Sequence, residues 1–444
     1  LREADEPLAA GFMERLDASP LWRMARGLQE FFTQCPVPQH GGEVLYPCSG
    51  ALFATSHAVQ FHYSASLITN FQRLEEKRAA ATPAVANVLG ALSAYLREYP
   101  SVSGYTHSII NFGRVLSEGL ESYEARLRRH LSTAERRADA ERSEFYAALL
   151  VLLEGIRTFH HRACDHLATQ ATPQAMKVLA ALRRVPFQPA TSFYEAMVAT
   201  NFLYYLDGCD DLGRFDQDLR PYLAQDLASG AVTREEALEW IVQLFANVDR
   251  CNGWNAALGG TAPDGSQGCN ELTLLCLQAI KGRRRPNVAL RLRRDTPEEY
   301  WDAALEALSG GSGLPALYNE EEYLRGIAEA HLGVTAADLP YFAFGGCTEL
   351  MVHGRSNVGS LDDTLNVLLT LEHSLYRHLP DSDSFAEFLR RYKADLSRDI
   401  EELTQRVNGY QASKARWQPQ PLRTLLVDDC IDNGREFNAG GARY

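Results

Sequence analysis

The chain has 444 residues, is 45% apolar and carries a formal net charge of −13. That much apolar material can build one large core or two to three smaller ones, and the acidic balance argues against nucleic acid or an anionic membrane as a main partner. No apolar run is long enough to span a bilayer, and the acidic start Leu1-Arg2-Glu3-Ala4-Asp5-Glu6 lacks the apolar centre of a signal peptide, so a cytoplasmic protein is expected. The first half, about residues 1–230, reads helical. Apolar residues recur at spacings of three and four in Leu21 to Phe32, Phe145 to Ile156 and Ser192 to Leu206, and charged residues fill the other faces, as in Leu120 to Arg142.

From about residue 231 to 444 the pattern becomes strand and helix in alternation. Thr233-Arg234-Glu235-Glu236 is a capping box before a helix with Leu238, Ile241, Val242 and Phe245 on one side. The basic run Arg283-Arg284-Arg285 reads as a solvated loop ahead of a strand, Asn287 to Arg293. Thr296-Pro297-Glu298-Glu299 supplies an N-cap and a proline at the first helical position. Gly313 to Asn319 and Tyr341 to Phe344 read as further short strands. Such alternation predicts parallel strands with helical crossovers, and chemistry at strand ends.

Nine cysteines lie between Cys35 and Cys430, with no CxxC pair and no metal-ligand spacing. Most are expected to be small buried hydrophobes, with neither a disulfide framework nor a metal. Cys347 stands apart. It sits in Gly345-Gly346-Cys347-Thr348-Glu349, directly after an apolar strand. Glycines there permit a sharp turn and close backbone approach, and residues two apart in extended chain project to the same side. Cys347 and Glu349 are therefore expected to face one enclosed pocket, a thiol to take a hydrogen and a carboxylate to take a proton. A conventional thiolate nucleophile needs a base such as histidine, and no motif places the nearest one, His353.

Gly346-Cys347-Thr348-Glu349 resembles the thiyl-radical loop of the glycyl radical enzymes, the pyruvate formate-lyase family. Gly213-Arg214-Phe215-Asp216-Gln217 with Pro221-Tyr222, Asn270-Glu271-Leu272 after Gly259-Gly260 and Asp264-Gly265, Pro286-Asn287 with Arg291, and Leu314 to Asn319 resemble other segments of that family in the same order. Ser192 to Ala196, and Thr106-His107 before Gly119-Leu120, also fit. The resemblance runs over about residues 100–444 and implies an α/β protein. Its expected form is a ten-stranded α/β barrel of the pyruvate formate-lyase type, with a largely helical N-terminal half and the cysteine loop threaded through its middle. Residues 1–444 would form this one catalytic barrel domain, truncated at the C-terminus.

The resemblance further implies a glycine-centred organic radical that oxidises Cys347, a separate radical S-adenosylmethionine activating enzyme, a small-molecule substrate and a homodimer. Cys347 lacks the adjacent second cysteine of pyruvate formate-lyase itself, since Gly346 and Thr348 flank it. Cys with Glu two residues on resembles instead the dehydratase and carbon–heteroatom lyase branch. In that branch Glu349 corresponds to the general base, and His107 and Asp362 fall at substrate-binding positions. Gly208-Cys209-Asp210-Asp211 lies where the branch has other polar residues. Arg406-Val407-Asn408-Gly409-Tyr410 is nearly the radical-glycine motif but follows Cys347 too closely, so Gly409 is expected to be an ordinary helix residue. The glycyl radical domain is then absent, and the isolated chain is expected to be inactive. Two alternatives stand: a formate acyltransferase, and a non-catalytic or split barrel that needs a separate radical-domain subunit.

Overall fold

The structure, a computed structural model, describes residues 2–47, 78–98, 105–207, 210–250, 253–360 and 362–444. The helical part contains α1 (Arg2–Met13), α2 (Pro20–Gln34), α3 (Pro83–Glu98), α4 (Phe112–Glu118), α5 (Leu120–Arg136), α6 (Ala140–Gln170), α7 (Pro173–Leu182), α8 (Phe193–Leu206) and α9 (Phe215–Ser229). Helix α2 starts where Ser19 accepts the Trp22 N–H and Pro20 occupies the first turn, and it buries Leu21, Met24, Leu28, Phe31 and Phe32. That face packs on α1 and on the long α6. Helix α8 has no polar face: every residue from Phe193 to Leu206 is buried except Glu195, so it forms the centre of the core.

Helix α10 (Arg234–Arg250) has the predicted capping box, with the Thr233 hydroxyl accepting from Glu236 N at 3.2 Å and the Glu236 carboxylate accepting from Thr233 N at 2.9 Å. The strands follow. β2 (Asn255–Gly259), β3 (Asn287–Leu292) and β4 (Ala316–Asn319) form a parallel sheet in that order, with Ala257 opposite Ala289 and Leu290 opposite Leu317. Helices α11 (Glu271–Ile280) and α12 (Glu298–Ser309) are the crossovers, as the alternation predicts, and α13 (Glu320–Glu329) follows β4. β2 and β3 are buried on both faces, whereas β4 is largely exposed at the sheet edge. Residues 212–213 continue the sheet beyond β2, since Ala257 N donates to Gly213 O at 2.8 Å.

Three features differ from the sequence reading. Thr296 does not cap α12: its hydroxyl accepts from Arg293 N at 2.9 Å and so closes the turn after β3, leaving Pro297 at the cap position. β5 (Phe342–Gly345) is a strand, but it turns back into an antiparallel hairpin with β6 (Glu349–Val352). After β7 (Val358–Ser360), which pairs antiparallel with β1 (Tyr105–His107), the chain returns to helices, including α14 (Val367–His378), α15 (Phe385–Trp417) and α16 (Pro421–Leu426). Strand–helix alternation thus ends near residue 360. The described strands make three separate sheets. Arg284 pairs with Asp249 at 3.2 Å and Arg285 stacks 4.6 Å from the Trp254 ring, in the loop before β3 as expected. No helix among the described residues is long and apolar enough to cross a membrane.

Candidate active site

The site is built around β5, whose Phe342, Ala343, Phe344 and Gly345 are all buried. Its turn to β6 consists of Gly346, Cys347 and Thr348, because Gly345 pairs with Glu349. Gly346 has φ +52, and a Cβ there would lie 2.3 Å from His107 Nε2, so the backbone conformation and the close approach both require glycine. Glu349 Oε2 accepts from the N–H groups of Cys347 and Thr348, each at 3.0 Å. Sulfur and carboxylate therefore share one hairpin tip, with the carboxylate folded over the turn that carries the thiol. Cys347 and Thr348 are exposed and Glu349 is half-buried. The tip is open rather than enclosed, in contrast to the hollow expected from the sequence.

Directly under the tip lies a buried cluster of charges from three distant segments. Asp211 Oδ1 accepts from Gly346 N and from Asn255 N, both at 2.9 Å. His107 Nδ1 is 2.9 Å from Asp210 Oδ1 and 3.6 Å from Asp211 Oδ2. Asp210 Oδ2 accepts from Ser108 N at 3.2 Å and from Arg423 Nη2 at 2.8 Å, while Asp207 Oδ1 lies 3.6 Å from Arg423 Nε. Trp254 meets the His107 ring edge-on at 5.7 Å between centroids.

Burial alone would strip the proton from His107, but hydrogen bonds and charge from Asp210 and Asp211 outweigh it and raise the ring to about 10. Asp211 is raised to about 7 by burial, with the Asp210 charge adding and His107 opposing. Asp207 is also raised to about 7 by burial, opposed by Arg423. His107 is thus an imidazolium at neutral pH. His107, Asp210 and Asp211 hold potential metal-ligand atoms within 4.8 Å of one another. The Arg423 guanidinium shares the Asp210 carboxylate with the His107 ring.

The opposite end of β5 is anchored differently. Arg291, fully buried, pairs bidentately with Glu320 at 2.6 and 2.8 Å, donates to Phe342 O at 2.6 Å and lies 3.7 Å from the centre of the Phe342 ring. Arg214 donates to Gly259 O at 2.8 Å, to Thr261 O at 2.9 Å and to Pro340 O. Asp216 accepts from Gly259 N at 2.8 Å and from the Thr273 hydroxyl at 2.6 Å. These motif residues fix strands. His353 belongs to the same end, accepting from Arg214 N at 3.2 Å and lying 3.0 Å from Asp218. A cleft of about 430 Å3 there is lined by Arg214, Gln217, Asp218, Tyr341 and His353.

The structure brings Cys347, Glu349 and His107 together, and Asp362 lies against Gly359 of β7, the strand paired with β1 that carries His107. The Asp362 carboxylate accepts from Lys414 Nζ at 3.1 Å and Gln411 Nε2 at 2.9 Å, both on α15. Gly409 is an exposed residue inside that helix, as expected. The sequence reading missed Asp207, Asp210, Asp211 and Arg423 as a unit. A usable signal was present in Arg423, a lone charge in the wholly buried run Pro421 to Val427.

Residues 72–444 match the pyruvate formate lyase-like family, and the chain belongs to it. A curated relative is the 4-hydroxyphenylacetate decarboxylase glycyl radical subunit of Clostridioides difficile, 25% identical over 370 residues, which cover 68% of this chain and 41% of that protein. Another is trans-4-hydroxy-L-proline dehydratase of the same species, 27% identical over 266 residues, covering 52% and 33%. The glycerol-bound B12-independent glycerol dehydratase from Clostridium butyricum superposes with a TM-score of 0.80 at 18% identity, over 99% of this chain and 65% of that one. The fold is therefore of the pyruvate formate-lyase type. The chain spans less than half the length of the curated relatives it matches.

Proposed function

We propose that this chain forms the body of a glycyl-radical dehydratase or lyase in which Cys347 abstracts a hydrogen atom from a small hydroxylated substrate. A glycine-centred radical, generated by a separate activating enzyme, supplies the one-electron oxidation of the thiol. Cys347 as a sulfur radical then takes a hydrogen atom from a substrate carbon, which becomes S–H and leaves a carbon radical. Glu349 accepts the proton of the neighbouring substrate hydroxyl, the leaving group departs from the adjacent carbon with that proton as water or another protonated heteroatom group, and the product radical takes a hydrogen atom back from the Cys347 thiol, restoring the sulfur radical. His107 contributes a fixed cationic ring beside the tip and belongs to substrate binding. Asp362, which accepts from Gln411 and Lys414 of α15, is assigned to substrate binding with His107.

The observation that carries this reading is the shared hairpin tip, with Glu349 folded over the backbone N–H of Cys347. The dehydratase and decarboxylase relatives support it, and a single thiol flanked by Gly346 and Thr348 weighs against acyl transfer. The exposure of Cys347 favours a further element: additional polypeptide, in the same chain or separate, that covers the tip, excludes water and oxygen, and carries the radical glycine. The test uses activated full-length protein. Cys347→Ala is expected to abolish turnover and keep the glycine radical signal, and Glu349→Gln to lower turnover by at least about 100-fold. Turnover that survives Cys347→Ala ends the proposal.

A further inference from the structure

We propose that Asp211 is the positioning residue of the Cys347 hairpin, its carboxylate gripping the Gly346 backbone and thereby setting where the sulfur stands. This rests on the role proposed for Cys347 and adds the group that aims it. The bonds from Glu349 to the N–H groups of Cys347 and Thr348 lie within the hairpin, so they shape the tip but do not attach it to the body. Attachment comes from Asp211 Oδ1, which accepts from Gly346 N at 2.9 Å, supported by a longer bond from Asn287 Nδ2 to Gly346 O at 3.3 Å. The same Asp211 oxygen accepts from Asn255 N at 2.9 Å, so one atom ties the residue before Cys347 to the first residue of β2.

The geometry leaves little slack. A Cβ on Gly345 would sit 3.0 Å from Asp211 Oδ2, and one on Gly346 would sit 2.3 Å from His107 Nε2. The Asp211 side chain is completely buried, and an ionised carboxylate is a stronger acceptor than a neutral acid. The charged groups around it are Asp210 beside it, His107 of β1, Asp207 at the end of α8 and Arg423 of α16. Three carboxyl groups face two cations there, and burial raises Asp211 to about 7. The grip on Gly346 is accordingly expected to weaken as pH falls through neutrality, while Ala289 of β3 lies inside the parallel ladder between Ala257 and Ala316.

Backbone amide hydrogen exchange on the whole chain, corrected for intrinsic rates and resolved to Gly346 and Ala289, tests this. Gly346 protection should fall about ten-fold relative to Ala289 between pH 8 and pH 6. Asp211→Asn keeps an acceptor without the charge, so its protection of Gly346 should stay low and flat over that range. Equal protection of Gly346 at both pH values in the wild type overturns the proposal, as does an Asp211→Asn protein with the wild-type profile. Should Asp211→Asn fail to fold, the wild-type profile decides alone. Neither measurement involves a radical or a substrate. A flat profile therefore removes Asp211 and leaves Cys347 chemistry standing, while turnover by Cys347→Ala removes that chemistry and leaves the grip.

Discussion

The two ends of β5 are held by opposite means. At Phe342 the anchors are two buried arginines, Arg214 and Arg291, that donate to backbone carbonyls, with Glu320 as the paired counter-charge. At Gly346 the anchor is a carboxylate that accepts a backbone N–H, backed by His107, Asp210 and Arg423. The first arrangement rests on the two-fold Arg291–Glu320 pair and on Arg214, which burial and the neighbouring Arg291 charge lower to about 9. The second contains groups raised to about 7 and about 10, which change charge over accessible pH. The difference teaches that the family motifs at 213–217 and 286–291 build the more rigid frame, whereas the Cys347 end is mounted on an adjustable one.

The comparison breaks most readily at the rigid end. Arg291→Ala leaves Glu320 buried without its cation and is expected to cost about 3–5 kcal/mol in urea unfolding. A loss below about 1 kcal/mol would mean that this end is no firmer than the other. At the adjustable end, His107 is raised from 6.5 to about 10, so the stability it contributes is complete below about pH 6.5 and is lost as pH rises towards 10. Unfolding free energy should decline by ~2–4 kcal/mol between pH 7 and 10 in the wild type, and His107→Gln should flatten that slope. An unchanged slope in the variant would remove His107 from the charge cluster.

Gly346→Ala sharpens the contrast sterically. It places a methyl group against the buried His107 ring at a positive φ, and a loss of about 1–3 kcal/mol in thermal unfolding is expected. Gly409→Ala serves as the contrasting change. That glycine lies in the exposed interior of α15 with open space around it, so alanine should stabilise by ~0.5–1 kcal/mol. Destabilisation there would show that Gly409 meets a constraint outside its helix.

Much of the rigid frame was legible in the sequence. Alternating or continuous apolar runs gave β3, β4 and β5 within three residues, and Thr233 with Glu236 announced α10. The hairpin between β5 and β6 was not legible, because a short strand does not declare its partner's direction. Thr296 failed as a cap for a related reason: the turn before it competes for the same hydroxyl. Cys347 and Glu349 were visible together because a single residue, Thr348, separates them. The charge cluster was not, since His107, Asp210 and Arg423 come from segments more than a hundred residues apart and meet only after folding.

One consequence follows from the open position of Cys347. The described cysteines Cys35, Cys269, Cys276 and Cys430 are buried, and burial pushes their thiols well above the ordinary range. Among the described residues Cys347 is the one exposed thiol, which makes it a native attachment point for a spin label or dye. A probe placed there would report the arrival of any second polypeptide over the hairpin, turning the tip into its own docking sensor.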